Sequence, residues 1–130
     1  MKDTTHKRIL LVEDNADIGE TLRDLLEILG HDVELVNDGL RGVQRALESR
    51  PEVMLVDIGL PGIDGYEVAR QVRASAHGGA VIMLALTGYG RPEDRKKARD
   101  AGFDAHLVKP VDPDELLRTL VQVNSQRADA

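Results

Sequence analysis

The sequence predicts an α/β domain built on a doubly wound parallel sheet, and three observations carry that prediction. Short apolar runs rich in β-branched residues alternate five times with longer stretches whose apolar positions recur at three and four residues. Parallel neighbours need a crossover connection, and a helix is the usual one, so the alternation implies parallel pairing. The 130 residues match the common size of one domain, about 100–150 residues. No internal repeat, low-complexity tract or interdomain linker interrupts them, so residues 1–130 read as one domain with a core at about 8–123 and polar tails at both ends.

The elements follow in order. Residues 9–12 form the first strand, and residues 15–29 carry Ile18, Leu22, Leu25, Leu26 and Leu29, one stripe of an amphipathic helix. Residues 33–36 alternate polar and apolar more than the other runs and read as an edge strand. A weaker helical pattern, Leu40, Val43 and Leu47, comes next. Residues 53–56, Val-Met-Leu-Val, show no polar alternation and fit a strand covered on both faces. Tyr66, Ala69 and Val72 mark the third helix, residues 81–86 the fourth strand, and residues 94–101 a strongly charged helix with Ala98 and Ala101. After a fifth strand at residues 105–108, the last helix has the clearest start. Asp112 stands as N-cap, Pro113 at the first helical position and Glu115 three residues after the cap. Its apolar positions are Leu116, Leu117, Leu120 and Val121. Gly30-His31-Asp32, Asp38-Gly39, His77-Gly78-Gly79 and Gly102 punctuate the turns.

Composition excludes several functions. With 17 Lys+Arg against 23 Asp+Glu the formal charge is −6, which opposes nonspecific attraction to nucleic acid or anionic lipid. The same balance suits divalent cations or basic protein surfaces. The absence of cysteine removes disulfides, thiolate zinc sites and cysteine nucleophiles. The longest apolar runs fall far short of a membrane span of roughly 20 residues, and the N-terminus lacks the apolar segment of a signal peptide. A cytoplasmic location is the expectation.

In a doubly wound sheet every strand's C-terminal end lies on one edge, where ligands bind. Glu13 and Asp14 follow the first strand, Asp57 the third, Thr87 the fourth and Lys109 the fifth. Two unit charges ~5 Å apart at an effective dielectric of ~20 repel by roughly 3 kcal/mol, so three carboxylates would raise their own pKa values or attract a cation. Oxygen-only ligation suits Mg²⁺. Glu13 and Asp14 also suit the first turn of a helix, where anions meet the dipole, and Asp57 also suits a turn. Lys109 reads as an ion-pair partner of the carboxylates or as a surface lysine. A carboxylate held between a cation and a lysine can act as a nucleophile toward a phosphoryl group, whose transfer needs mainly positioned positive charge. Thr87 offers a hydroxyl to one phosphoryl oxygen.

With those residues located, the chain resembles the receiver domain of two-component response regulators over about residues 8–123. The likeness rests on Ile9-Leu-Leu-Val-Glu-Asp-Asn15, Val56-Asp-Ile-Gly-Leu-Pro-Gly-Ile-Asp-Gly65, Ala85-Leu-Thr-Gly88 and Val108-Lys-Pro110. Asp-Ile-Gly-Leu-Pro-Gly and Ala-His-Leu-Val-Lys-Pro-Val-Asp look most like receivers attached to hybrid sensor kinases. The resemblance implies a flavodoxin-like sheet of strand order 2-1-3-4-5 with five helices. It implies that Asp57 accepts a phosphoryl group from the phosphohistidine of a sensor histidine kinase or a histidine phosphotransfer domain. Mg²⁺ would be held by Glu13, Asp14, Asp57 and the carbonyl of Gly59. Lys109 would pair with Asp57 and then with the phosphate, Thr87 would move inward, and the Lys109–Pro110 peptide would be cis. The face of the fourth helix, fifth strand and fifth helix would then switch toward a downstream target protein, without nucleic acid or membrane insertion.

Two positions depart from the family's habit. Glu13 stands where Asp is usual, which keeps the charge and lengthens its reach. His106 stands where many members have Tyr or Phe, and it reads either as a titratable part of the switch or as an inert strand-end histidine. Arg95, Lys96, Lys97 and Arg99 read as a solvated helix face, or as a patch for an acidic partner. The rivals are an interaction module on the same fold that is never phosphorylated and a flavin or nucleotide carrier. The carrier's phosphate would be repelled by Glu13 and Asp14. An aspartyl phosphatase would want a second Asp where Gly59 stands.

Overall fold

The computed structural model describes residues 6–88 and 90–128, with side chains through Val123. In chain order the elements are β1 (Arg8–Val12), α1 (Ala16–Ile28), β2 (Asp32–Val36), α2 (Gly39–Ser49), β3 (Val53–Asp57), α3 (Gly65–Arg73), β4 (Ile82–Thr87), α4 (Pro92–Ala101), β5 (Ala105–Val108) and α5 (Pro113–Ala128). All four strand pairings are parallel and the sheet order is β2-β1-β3-β4-β5. The alternating segment at residues 33–36 is indeed an edge, half-buried along most of its length, whereas β3 and β4 are buried throughout.

The period of two along each strand divides the core. Leu10, Val12, Met54, Val56, Met83 and Ala85 face one side, where they pack with residues of α2, α3 and α4. Ile9, Leu11, Val53, Leu55, Ile82, Leu84 and Leu86 face the other, against Leu22 and Leu26 of α1 and Leu116, Leu120 and Val123 of α5. Burying each such Leu or Val contributes roughly 1.5–3 kcal/mol, so the two layers clamp the sheet from both sides.

Four of the five helices begin at a side-chain cap, whereas α4 opens after Arg91 without one and has Pro92 at its first position. Asn15, Asp38 and Asp64 accept the backbone N–H of Ile18, Arg41 and Glu67 at 3.1, 2.8 and 2.9 Å. Asp112 accepts the N–H of Asp114 at 3.2 Å. Gly102 closes α4 with φ of 117°, a left-handed conformation that glycine adopts without strain. The Lys109–Pro110 peptide is cis.

Several expected positions differ. Leu40 and Leu47 are 66% and 48% exposed; the buried face of α2 is instead Gly39, Gly42, Val43 and Ala46. This helix lies so close to β1 that a Cβ on Gly42 would sit 2.9 Å from Val12 Cγ2, and only small residues fit there. Leu117 and Val121 are 42% and 57% exposed, because Leu116, Leu120 and Val123 already fill the sheet-facing stripe of α5. That helix continues to Ala128, past the expected start of a polar tail near residue 124. At the other end, Lys7 N–H donates to His31 Nδ1 at 3.0 Å, so residues 6–7 are tied to the start of β2; the remaining tail residues, 1–5 and 129–130, lie outside the described residues. Asp57 and Thr87 belong to their strands rather than following them, because the ladder continues through Ile58 N–H to Leu86 O at 2.9 Å and Lys109 N–H to Thr87 O at 2.8 Å.

One side chain staples the far end of the sheet. The Arg73 guanidinium donates to Gly102 O (2.9 and 2.8 Å), Gly78 O (2.7 Å), Val81 O (2.6 Å) and Asp104 Oδ2 (3.0 Å). Asp104 Oδ2 also accepts Met83 N–H at 2.8 Å. Arg73 thus joins α3, the segment before β4, the end of α4 and the approach to β5.

Candidate functional site

Register alone gathers the polar residues. Val12 pairs with Val56, Asp57 with Leu86, and Thr87 with Val108, so the residues that end β1, β3, β4 and β5 stand on one rim. Glu13 and Asp57 are buried there and Asp14 is exposed. One carboxylate oxygen from each lies within 4.8 Å of the others.

Lys109 reaches into this group. Its Nζ is 2.8 Å from Glu13 Oε1 and 3.2 Å from Asp57 Oδ1. The other Glu13 oxygen accepts Asn15 N–H at 3.2 Å, and Asp57 Oδ1 accepts Gly59 N–H at 3.0 Å. Gly59 is therefore near Asp57 through its amide. The loop carrying it can turn back tightly because Gly65 has no side chain: a Cβ there would lie 2.5 Å from Asp57 O. Gly65 N–H donates to Ile58 O at 3.1 Å. Gly65 and Asn15 escaped the reading of the sequence as site-forming residues. Asn15 is the N-cap of α1 and Gly65 the first residue of α3, and each ends one of the motifs that carry the family likeness without a functional group that chemistry singles out.

The electrostatics are uneven. Burial pushes the Glu13 carboxyl above its ordinary range, with Asp57 adding to the rise against the opposing pull of Lys109 and Asn15. For Asp57 burial also acts upward, but the hydrogen bonds from Glu13 and Gly59 and the charge of Lys109 outweigh it, and the group is held below its ordinary range. Burial acts downward on Lys109, yet its two carboxylate partners hold the ammonium above its usual value. Asp57 is thus the buried carboxylate kept anionic.

A divalent cation fits this arrangement. Glu13 Oε1 is buried with no directed hydrogen bond, its contact with Lys109 being an ion pair only. The donors are hard oxygens, three acidic groups face one ammonium, and two of the three are buried. Those features match Mg²⁺, which takes one or two carboxylates and keeps waters.

The response regulator receiver domain family matches residues 9–121. The response regulator MprA of Mycobacterium leprae (strain TN) is 38% identical over 110 residues, covering 85% of this chain and 47% of that protein. The chain therefore spans about half the length of such curated relatives. Among solved structures, the receiver domain of the sensor histidine kinase PA1611 from Pseudomonas aeruginosa PAO1, which has a magnesium ion coordinated in its active-site cleft, aligns with a TM-score of 0.83. It is 38% identical and covers 90% of this chain and 96% of that one. The chemotaxis response regulator CheY4 of Vibrio cholerae aligns with a TM-score of 0.85 and 30% identity over 89% of this chain and 97% of that one. A parallel sheet of this order with acidic residues at one rim defines the class of two-component signalling domains. This chain belongs to the response regulator receiver domain family. Among the described residues no helix is long and apolar enough to cross a membrane.

His106 lies on β5 opposite Ala85 and is half-buried. Burial and then Arg95 of α4 push its imidazole below the ordinary 6.5, with Glu115 of α5 opposing. The fold therefore prefers the neutral ring. As pH falls below about 6.5 the unfolded chain takes up this proton first, and stability declines until the folded-state value is passed. Urea unfolding between about pH 8 and 5.5 should show a shallower decline for His106→Gln than for the parent; equal slopes would mean that the imidazole carries none of it.

Proposed function

We propose that this chain is the phosphoacceptor of a two-component relay and that Asp57 takes the phosphoryl group from a phosphohistidine of a sensor histidine kinase or histidine phosphotransfer domain. The observation that carries this reading is the Lys109 ammonium lodged between Glu13 and Asp57 at 2.8 and 3.2 Å. Together with Gly59 N–H it orients the Asp57 carboxylate and keeps it ionised. The oxygen that Gly59 does not hold attacks phosphorus. An O–P bond forms as the P–N bond to the donor imidazole breaks, and the electron pair stays on that nitrogen. Charge spreads over the outer phosphoryl oxygens during transfer, where Lys109 would meet it and the Thr87 hydroxyl would turn to donate to one of them. Glu13, Asp14, Asp57 and the Gly59 carbonyl would hold Mg²⁺, which supplies further positive charge to those oxygens. The magnesium in the PA1611 receiver supports this choice of ion.

The product adds about −1.5 to −2 charges at one rim. Thr87 drawn toward them would shift the face formed by α4, β5 and α5, where Val108, Leu117 and Val121 are exposed, and a downstream protein would read that shift. The domain works from the cytoplasm, with no nucleic acid contact of its own and no membrane insertion.

Incubation with acetyl phosphate and Mg²⁺ should add one phosphoryl group by intact mass, and excess EDTA should prevent the addition. No addition under either condition would leave an interaction module on this fold instead.

A further inference from the structure

The opposite end of the sheet holds a cavity of about 690 Å³ between the C-terminal parts of α2 and α3, within the ~300–1,000 Å³ usual for small-molecule sites. Met54 and Ile82 are buried at its floor, Val72 lines a wall, and the half-exposed Leu47 stands at its side. The walls are built. Arg73 donates to the carbonyls of Gly78 (2.7 Å) and Val81 (2.6 Å), both of which line the cavity.

The mouth is cationic. Lys7 and Arg50 line it, and their side chains make no hydrogen bond or ion pair among the described residues. The acidic lining residue, Glu52, is already engaged by Arg8, whose N–H reaches its Oε1 at 3.0 Å and whose Nε lies 3.9 Å away. Arg50 moreover holds φ of 48°, a left-handed conformation uncommon for a residue with a side chain. On a chain whose net charge is −6, an apolar hollow rimmed by uncompensated cations runs against the overall field.

We propose that this cavity binds a small amphiphile with an anionic head, its apolar tail against Met54, Val72 and Ile82 and its head at Lys7 and Arg50. Besides Lys7, the lining comes from two short segments, residues 46–54 and 72–82, rather than from one continuous helix face, which fits a compact ligand better than a docked helix. The site is separate from the acidic rim and does not depend on phosphorylation.

Decanoate is the probe, titrated below its micelle concentration and followed by backbone amide chemical shifts of the full chain. Saturable shifts should appear in residues 46–54 and 72–82 and spare the exposed apolar face at Leu117 and Val121. Arg50→Gly removes the guanidinium where glycine accepts the positive φ, and Leu47→Glu places an anion at the mouth. Each should weaken binding by about tenfold, while amide dispersion confirms that the fold persists. Decyltrimethylammonium should bind more weakly than decanoate. Equal binding of the two head groups, shifts scattered over all exposed apolar residues, or affinity unchanged in both variants would overturn the proposal. Failure of decanoate alongside binding of an acidic apolar peptide would also overturn it and assign the hollow to a protein partner.

Discussion

Asp57→Asn should take up no phosphoryl group from acetyl phosphate and Mg²⁺ under conditions in which the parent chain takes up one. The amide has the same shape and can still accept Gly59 N–H, which reaches Asp57 Oδ1 at 3.0 Å, so the local backbone keeps its support. What it lacks is the anionic oxygen. The substitution also lessens the charge crowding that, with burial, lifts Glu13, so the fold should hold or gain stability while the reaction is lost. Loss of labelling with an intact unfolding transition would therefore report the nucleophile rather than a collapsed site. Labelling of the Asn variant at the parent's rate would remove Asp57 as acceptor, and the other carboxylates of the rim would be next in line.

Arg73→Ala should lower the unfolding free energy by roughly 3 kcal/mol, the largest stability loss expected from any single polar side chain here. Five donated bonds between 2.6 and 3.0 Å disappear, and the acceptors include three backbone carbonyls, those of Gly78 and Val81 shortly after α3 and that of Gly102, 29 residues away in sequence. A bond from a charged donor contributes roughly 1.5–3 kcal/mol and a stranded acceptor costs about 1–3 kcal/mol, but water reaches part of this site and returns much of the sum. Arg73→Lys should recover less than half, because an ammonium presents three donors from one point and cannot span four acceptors. Urea denaturation of the three proteins checks this through the midpoint at constant slope. A loss below about 0.5 kcal/mol, usual for ordinary surface substitutions, would show that the network is solvated rather than structural.

How much of this was legible beforehand depended on whether the signal was local. The strands at residues 9–12 and 53–56 announced themselves because parallel strands covered on both faces must be continuously apolar. The start of α5 was legible because Asp112, Pro113 and Glu115 satisfy a helix end from within four consecutive residues. The acidic residues, Thr87 and Lys109 could be placed on one rim since parallel strands end on one edge whatever their order. Side choice was less legible. Leu40, Leu47, Leu117 and Val121 carry the stronger hydrophobic signal, yet Gly42, Ala46 and Val123 face the core. How near a helix approaches its sheet is decided by the opposite surface, and here Val12 leaves room for nothing larger than glycine.

Sequence by itself determined the alternation of elements, the parallel pairing and the chemical inventory of the rim, because each follows from periodicity or from a fixed direction of the chain. Only the tertiary structure decided which carboxylate is raised and which is held anionic. That outcome depends on Lys109 arriving within 3.2 Å of Asp57 from a strand more than fifty residues away in sequence. The same holds for Arg73, an ordinary helix-end arginine in the sequence, whose partners converge only when four segments fold together. Coulomb and hydrogen-bond energies fall off over a few ångströms, and distances of that order between remote residues exist only in the folded chain.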